Sequence, residues 1–160
     1  MLLGVGIDIL SLSRFGALLV RRNPTTIAKR ICSPTELKLF QSLLPPSHLA
    51  SENNENDQTL RYLSTRSVHL QSPLCQSLIS RWVLKEAAYK ALSAHISTGL
   101  TWKSLEVDHL PSGQPTIRYS PADTTVGRAP GLVGMEIDLM CTLSHDAGVV
   151  VGVVIAQTKG

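Results

Sequence analysis

The sequence predicts an antiparallel α+β fold, with a sheet packed on helices. Three observations carry that expectation. Aliphatic runs open and close the chain, at residues 2–10 and 135–157. Segments with helical periodicity and cap signals fill much of the first hundred residues. Turn chemistry at Pro111-Ser112-Gly113 and at Ser144–Gly148 divides the later apolar sequence into short strands. Strands that follow helices, joined by tight turns, pair antiparallel.

The elements follow in order. "LLGVGIDIL", residues 2–10, reads as a buried strand in which Gly4 and Gly6 mark close backbone approach and Asp8 interrupts the aliphatic run. "SLSRFGALLVRR" offers Ser11 or Ser13 as N-cap, Phe15, Leu18 and Leu19 as the apolar side, and Arg14, Arg21 and Arg22 as a basic face. Asn23-Pro24 ends that helix. A short helix over "TTIAKRI" comes next. A third begins at Ser33 as N-cap, with Pro34 at its first position and Glu36 completing a capping box. From about residue 41 to 77 the chain turns polar and loses apolar periodicity, which predicts a flexible insertion within one domain spanning 1–160. A long helix is expected over Leu78–His95, with Gly99 beyond its end as a stop signal. Two strands flank the turn at Gly113, and two more flank Ser144–Gly148.

Composition narrows the function. The chain has 160 residues, 43% of them hydrophobic, enough for one domain with a real core. A formal net charge of +3 is a mild basic bias, weaker than a dedicated nucleic-acid binder shows and compatible with anionic small molecules or an acidic protein partner. Cys32, Cys75 and Cys141 match neither a disulfide framework nor a zinc pattern, which favours a reducing, intracellular setting. No apolar run is long enough to span a membrane, and no leader is legible before the first strand.

Chemistry concentrates in a few polar residues. On a wheel of the long helix, Ile79, Val83, Leu84, Ala87, Ala88, Ala91 and Leu92 form a broad apolar arc; Lys90 falls within it and Glu86 lies at its edge. These two charges form either a simple i,i+4 pair or part of a site, whereas Lys85 and Tyr89 read as surface residues. Asp8 inside an aliphatic strand needs a partner: it caps the following helix, or with Glu86 it supplies two hard carboxylates suited to Mg²⁺ rather than zinc. His145 in "LSHDAG" either donates to a phosphate or satisfies a turn, and Asp146 either orients it or caps that turn. Adjacent Ser144, His145 and Asp146 cannot form a hydrolytic triad, and neither a nucleophile elbow nor a phosphate-binding glycine loop is present. The basic face of Arg14, Arg21 and Arg22 is either a solvated surface or a dock for an acidic helix.

Taken together, "GVGIDILSLSRF", "IAKRICSPTEL", "RWVLKEAAYKAL", "LEVDHLPSGQP" and "LSHDAGVVVGVVI" resemble the holo-acyl-carrier-protein synthase family of 4'-phosphopantetheinyl transferases. The resemblance implies that family's fold and the transfer of phosphopantetheine from coenzyme A to a serine of apo acyl carrier protein, releasing adenosine 3',5'-bisphosphate. Asp8 and Glu86 match the family's Mg²⁺ ligands, Lys90 a lysine near the pyrophosphate, and His145 a histidine that contacts coenzyme A. Arg81, Ser144, Gly113 and Pro115 match positions lining the nucleotide site, and Arg14 one that meets the carrier's acidic helix, a face that Arg21 and Arg22 extend. Phosphoryl transfer asks a protein mainly to position substrates and neutralise charge. Asp8, Glu86 and Lys90 are therefore the expected catalytic set, with Glu86 taking the serine proton directly or through a water on the metal. Where the family usually has Gly-Lys-Pro, this chain has Gly113-Gln114-Pro115, which keeps the turn and removes a cation. The resemblance also implies a homotrimer. The Asn/Ser-rich insertion suggests a eukaryotic, mitochondrial member, with the cytoplasm as the alternative compartment. The competing function is a carrier-binding module without transfer activity.

Overall fold

The computed structural model describes residues 1–44, 72–96, 99–120 and 133–159. Strand β1 (Leu2–Ser11) leads into helices α1 (Leu12–Arg21), α2 (Pro24–Ile31) and α3 (Pro34–Ser42). The long helix α4 (Pro73–Leu92) follows, then strands β2 (Leu105–His109), β3 (Pro115–Tyr119), β4 (Ile137–Asp146) and β5 (Val149–Thr158). The strands form a three-stranded sheet in the order β1-β5-β4 and a two-stranded β2-β3 hairpin, all antiparallel. This is the α+β architecture the sequence predicts.

Local chemistry sets the boundaries. Ser11 caps α1, Asn23 caps α2 with Pro24 in its first turn, and Ser33 and Glu36 close a complete capping box on α3. Helix α4 is longer at its start than its apolar pattern indicates. Ser72 caps it through the Cys75 amide at 3.3 Å, and Pro73 occupies its first turn, so 73–77 are helical and the helix ends at Leu92 rather than His95. Residues 41–42 likewise belong to α3, so both ends of the expected 41–77 insertion are helical; residues 45–71 lie outside those described.

Helix α4 is the axis of the fold. Thirteen of its twenty residues are buried, because it is packed on several sides at once rather than along one stripe. On one side lies a cluster built from Leu84, Ala87, Ala88 and Ala91 with Val154 and Ala156; on another, Leu78 and Val83 meet Phe15, Leu19 and Phe40. Strand β1 comes close to α4 because its glycines have no side chain. A Cβ at Gly4 would collide with the Ala91 carbonyl oxygen, and one at Gly6 with that of Ala87. That close approach sets Asp8, two residues further on, beside the C-terminal half of α4.

The opposite face of the three-stranded sheet is apolar and open. Val5, Ile7 and Ile9 of β1 are 54%, 52% and 67% exposed, and Met140 of β4 is 47% exposed. In register with them stand Ile155, Val153 and Val151 of β5. No helix among the described residues is long and apolar enough to cross a membrane.

Candidate active site

Two groups of side chains meet along α4. The first joins β1 to the C-terminal half of the helix. Lys90 Nζ donates to Asp8 Oδ1 and to the Ile7 carbonyl oxygen, each at 2.8 Å. Lys90 is half exposed and Asp8 mostly covered. Glu86 stands one turn before Lys90, and its carboxyl is pushed above the ordinary value of 4.5 by burial and by the Asp8 charge, with Lys90 opposing. Two carboxylates in mutual repulsion, with a lysine drawn onto one of them, leave the group with a net negative charge. Asp8 and Glu86 supply two hard oxygen donors, the number Mg²⁺ takes from a protein when substrate phosphates and water complete its shell. Among the described residues no group of three or more metal-ligating side chains exists, so a closed structural site is not on offer there. The donor set fits Mg²⁺.

The second group surrounds a cavity of about 960 Å³, near the upper end of the range for small-molecule and cofactor sites. The N-terminal half of α4 contributes Ser77, Ser80 and Arg81; the β2-β3 hairpin contributes His109, Gly113 and Pro115; β4 contributes His145. Gly113 takes φ +83°, which an L side chain rarely adopts, and so makes the tight turn that brings Pro115 back opposite His109. The Arg81 guanidinium is almost wholly buried. Its Nη1 donates to the Ser77 carbonyl oxygen at 3.0 Å and to the Ser77 hydroxyl, while Nε lies 3.5 Å from Glu36 Oε1 without a hydrogen-bond acceptor. A buried donor without a hydrogen-bond partner is expensive, and the Glu36 carboxylate beside Nε offsets that cost electrostatically.

The sequence-predicted residues divide between these groups. Asp8, Glu86 and Lys90 come together, and Arg81, Gly113, Pro115 and His145 line the cavity. Ser144 does not line it: strand alternation turns its neighbour His145 inward and leaves Ser144 on the other face, paired with Val151. His145 itself lies in β4 rather than in a loop, because only Ala147 and Gly148, at φ 47° and 78°, form the turn. Asp146 caps that turn, accepting from the Ala147 amide at 2.8 Å. Arg14, Arg21 and Arg22 are all exposed along α1 and at its end.

Lys85 departs most from expectation. Read as a surface residue, it is instead 1% exposed, and its ammonium donates to Ile31 O at 2.7 Å, Glu36 Oε2 at 2.5 Å and Trp102 O at 2.9 Å. Burial pushes its pKa below the ordinary 10.5, and the Glu36 carboxylate opposes that shift. Glu36 also accepts from the Ser33 amide at 2.6 Å and the Val107 amide at 2.8 Å. This buried pair ties α2, α3 and β2 to the residue that immediately precedes Glu86. His109, Ser77 and Ser80 are further residues the sequence reading did not single out. For His109 the available signal was its place two residues past Val107 in an alternating strand, on the same hairpin as Gly113.

Comparison with known proteins bears on this arrangement. Residues 4–130 match the family model of the 4'-phosphopantetheinyl transferase superfamily. The chain is 35% identical over 157 residues to a holo-[acyl-carrier-protein] synthase of Streptomyces griseus, covering 98% of this chain and 99% of that protein. It is 27% identical over 158 residues to the enzyme of the same name from Ralstonia nicotianae, covering 98% and 94% respectively. Among solved structures, the holo-[acyl-carrier-protein] synthase of Neisseria meningitidis superposes with a TM-score of 0.61 at 21% identity over 98% of this chain and 99% of that one. The Bacillus anthracis protein, solved in complex with CoA (3',5'-ADP), gives 0.61 at 19% identity and 99% coverage of both chains. These relatives are bacterial and lend no support to a eukaryotic mitochondrial member. The helix carrying Glu86 and Lys90, the strand carrying Asp8 and the matches over nearly the full chain agree: the protein belongs to the 4'-phosphopantetheinyl transferase superfamily.

Proposed function

We propose that the chain, working as one domain, transfers the 4'-phosphopantetheine group of coenzyme A to a serine of an apo acyl carrier protein and releases adenosine 3',5'-bisphosphate. The observation that carries this reading is that one helix bears both groups: Glu86 and Lys90 meet Asp8 on the C-terminal half of α4, and Arg81 on its N-terminal half lines a cavity shared with His145. Asp8 and Glu86 would hold Mg²⁺, which when bound offsets the charge of the donor pyrophosphate.

The serine hydroxyl oxygen bonds to the phosphorus that bears the pantetheine arm, and the bond from that phosphorus to the pyrophosphate bridging oxygen breaks. Glu86 accepts the serine proton, directly or through a water. The half-exposed ammonium of Lys90, already anchored by the Ile7 carbonyl oxygen, reaches the leaving pyrophosphate oxygen and stabilises the charge that gathers there. Arg81 and His145 hold the nucleotide, and Gly113 and Pro115 shape its pocket. The exposed arginines of α1 receive the acidic helix of the carrier, raising the encounter rate through charge complementarity.

The open apolar face of the sheet supports a homotrimer. Val5, Ile7, Ile9 and Met140 together exceed the scattered apolar exposure normal for a monomer, and further copies of the chain would cover them. The bacterial relatives support a cytoplasmic reaction over the mitochondrial one.

Intact-mass spectrometry tests the reaction. Apo acyl carrier protein incubated with this protein, coenzyme A and Mg²⁺ is expected to gain one phosphopantetheine, and a chelator is expected to prevent the gain. Carrier binding without any gain would replace the proposal with a non-catalytic carrier-binding module.

A further inference from the structure

The cavity has an unusual charge inventory. Arg81 from α4, His109 from β2 and His145 from β4 face it, and no carboxylate lines it among the described residues. The acids next to both histidines are turned into backbone bonds: Asp108 Oδ1 accepts from the His109 amide and Asp146 Oδ1 from the Ala147 amide, each at 2.8 Å. Glu36 approaches Arg81 from the buried side rather than from the cavity. Arg81 has part of its guanidinium already committed to Ser77. The exposed donors left to meet a ligand anion are the Gln76 amide and the two imidazoles, and of these only the imidazoles can carry a positive charge. The backbone position of His109 is set by the pairing with Pro115 at the end of β2, just before the turn made by Gly113.

We propose that His109 is a donor-binding residue of this chain, hydrogen-bonding a phosphoryl oxygen of the bound nucleotide across the cavity from His145. The inference rests on the transferase reading and extends it to a residue outside the Asp8–Glu86–Lys90 group. Arg81 precedes Glu86 by five residues, about 7.5 Å along the helix axis. An anion between His109 and His145 therefore lies apart from the reacting phosphorus, and His109 contributes to affinity rather than to the chemical step. A hydrogen bond of this kind made by a solvent-exposed side chain is worth about fivefold to tenfold in binding.

Isothermal titration of the full chain with coenzyme A, alongside the mass-spectrometric transfer assay, tests the assignment. His109→Ala is expected to weaken coenzyme A binding and raise its KM by about fivefold to tenfold. It should leave kcat and the KM for the carrier within about twofold, and His109→Lys should restore affinity. Running the titration with dephospho-coenzyme A identifies the anion: a loss confined to coenzyme A assigns it to the phosphomonoester, and an equal loss with both assigns it to the pyrophosphate. If His109→Ala folds normally by circular dichroism and binds coenzyme A as the parent does, the proposal is wrong while the transferase reading stands. If the parent neither binds coenzyme A nor modifies a carrier, the transferase reading itself falls, and this inference with it.

Discussion

Replacing Lys85 by Met probes the least expected feature of the fold. The Lys85 ammonium uses all three of its donors on buried acceptors: the Glu36 carboxylate, the last carbonyl of α2 at Ile31 and the carbonyl of Trp102. Methionine fills a similar volume but donates nothing, so two carbonyl oxygens lose a partner and Glu36 is left with the Ser33 and Val107 amides and the offset Arg81 contact. Breaking a buried ion pair from one side costs about 3–5 kcal/mol. For a chain of this size that corresponds to a melting temperature lower by on the order of 10 °C. Urea denaturation of the parent, Lys85→Met, Glu36→Gln and the double variant gives the coupling directly. The double variant should be more stable than the sum of the single losses predicts, by about 1–3 kcal/mol. A Lys85→Met loss below about 1 kcal/mol, with additive singles, would refute the claim that this pair locks α4 against the helices and β2.

Other expectations follow from the same geometry. Asp8→Ala and Glu86→Ala should each abolish carrier modification with the circular dichroism spectrum retained; near-normal rates in both would remove the metal-site assignment. Gly6→Ala should lower stability by about 1–3 kcal/mol and depress transfer, because its Cβ meets the Ala87 carbonyl oxygen and pushes Asp8 away from Glu86; an unperturbed melting curve would contradict the close packing. Glu86 gives a signed pH effect. Its pKa is raised on folding, so its stabilising protonation is complete below the ordinary 4.5 and is lost as pH rises through the folded value. Metal-free Glu86→Gln should therefore gain on the parent in melting temperature between pH 4 and pH 7, and Mg²⁺ should raise the parent's melting temperature more at pH 7 than at pH 4. Arg14→Glu should raise the KM for the carrier and flatten its salt dependence with little change in the KM for coenzyme A, measured across a series of NaCl concentrations.

Short-range chemistry was legible in the sequence. The Ser33-Pro34-Glu36 cap and the Gly113 turn depend on a residue's own conformational limits or on neighbours within a few positions, and each is found where the pattern indicates; Gly4 and Gly6 signalled a close approach, but that they approach Ala91 and Ala87 of α4 is a tertiary fact. The start of α4 was also available: Ser72-Pro73 repeats the Ser33-Pro34 signal, but it sits inside a polar stretch that masks the helical period. What only tertiary structure decided involves partners far apart along the chain. Helical spacing places Lys85 near neighbours on its own helix, whereas its partner Glu36 lies 49 residues earlier on another; no local rule distinguishes that buried lysine from an exposed one. The same holds for the cavity, where Arg81, His109 and His145 meet only because the hairpin and β4 fold back over the first turns of α4. The sequence alone determined which elements form and which residues are chemically able to act. Packing around α4 decided which of them share a site, since contact between distant residues is fixed by the burial of the whole core rather than by any one segment's preference.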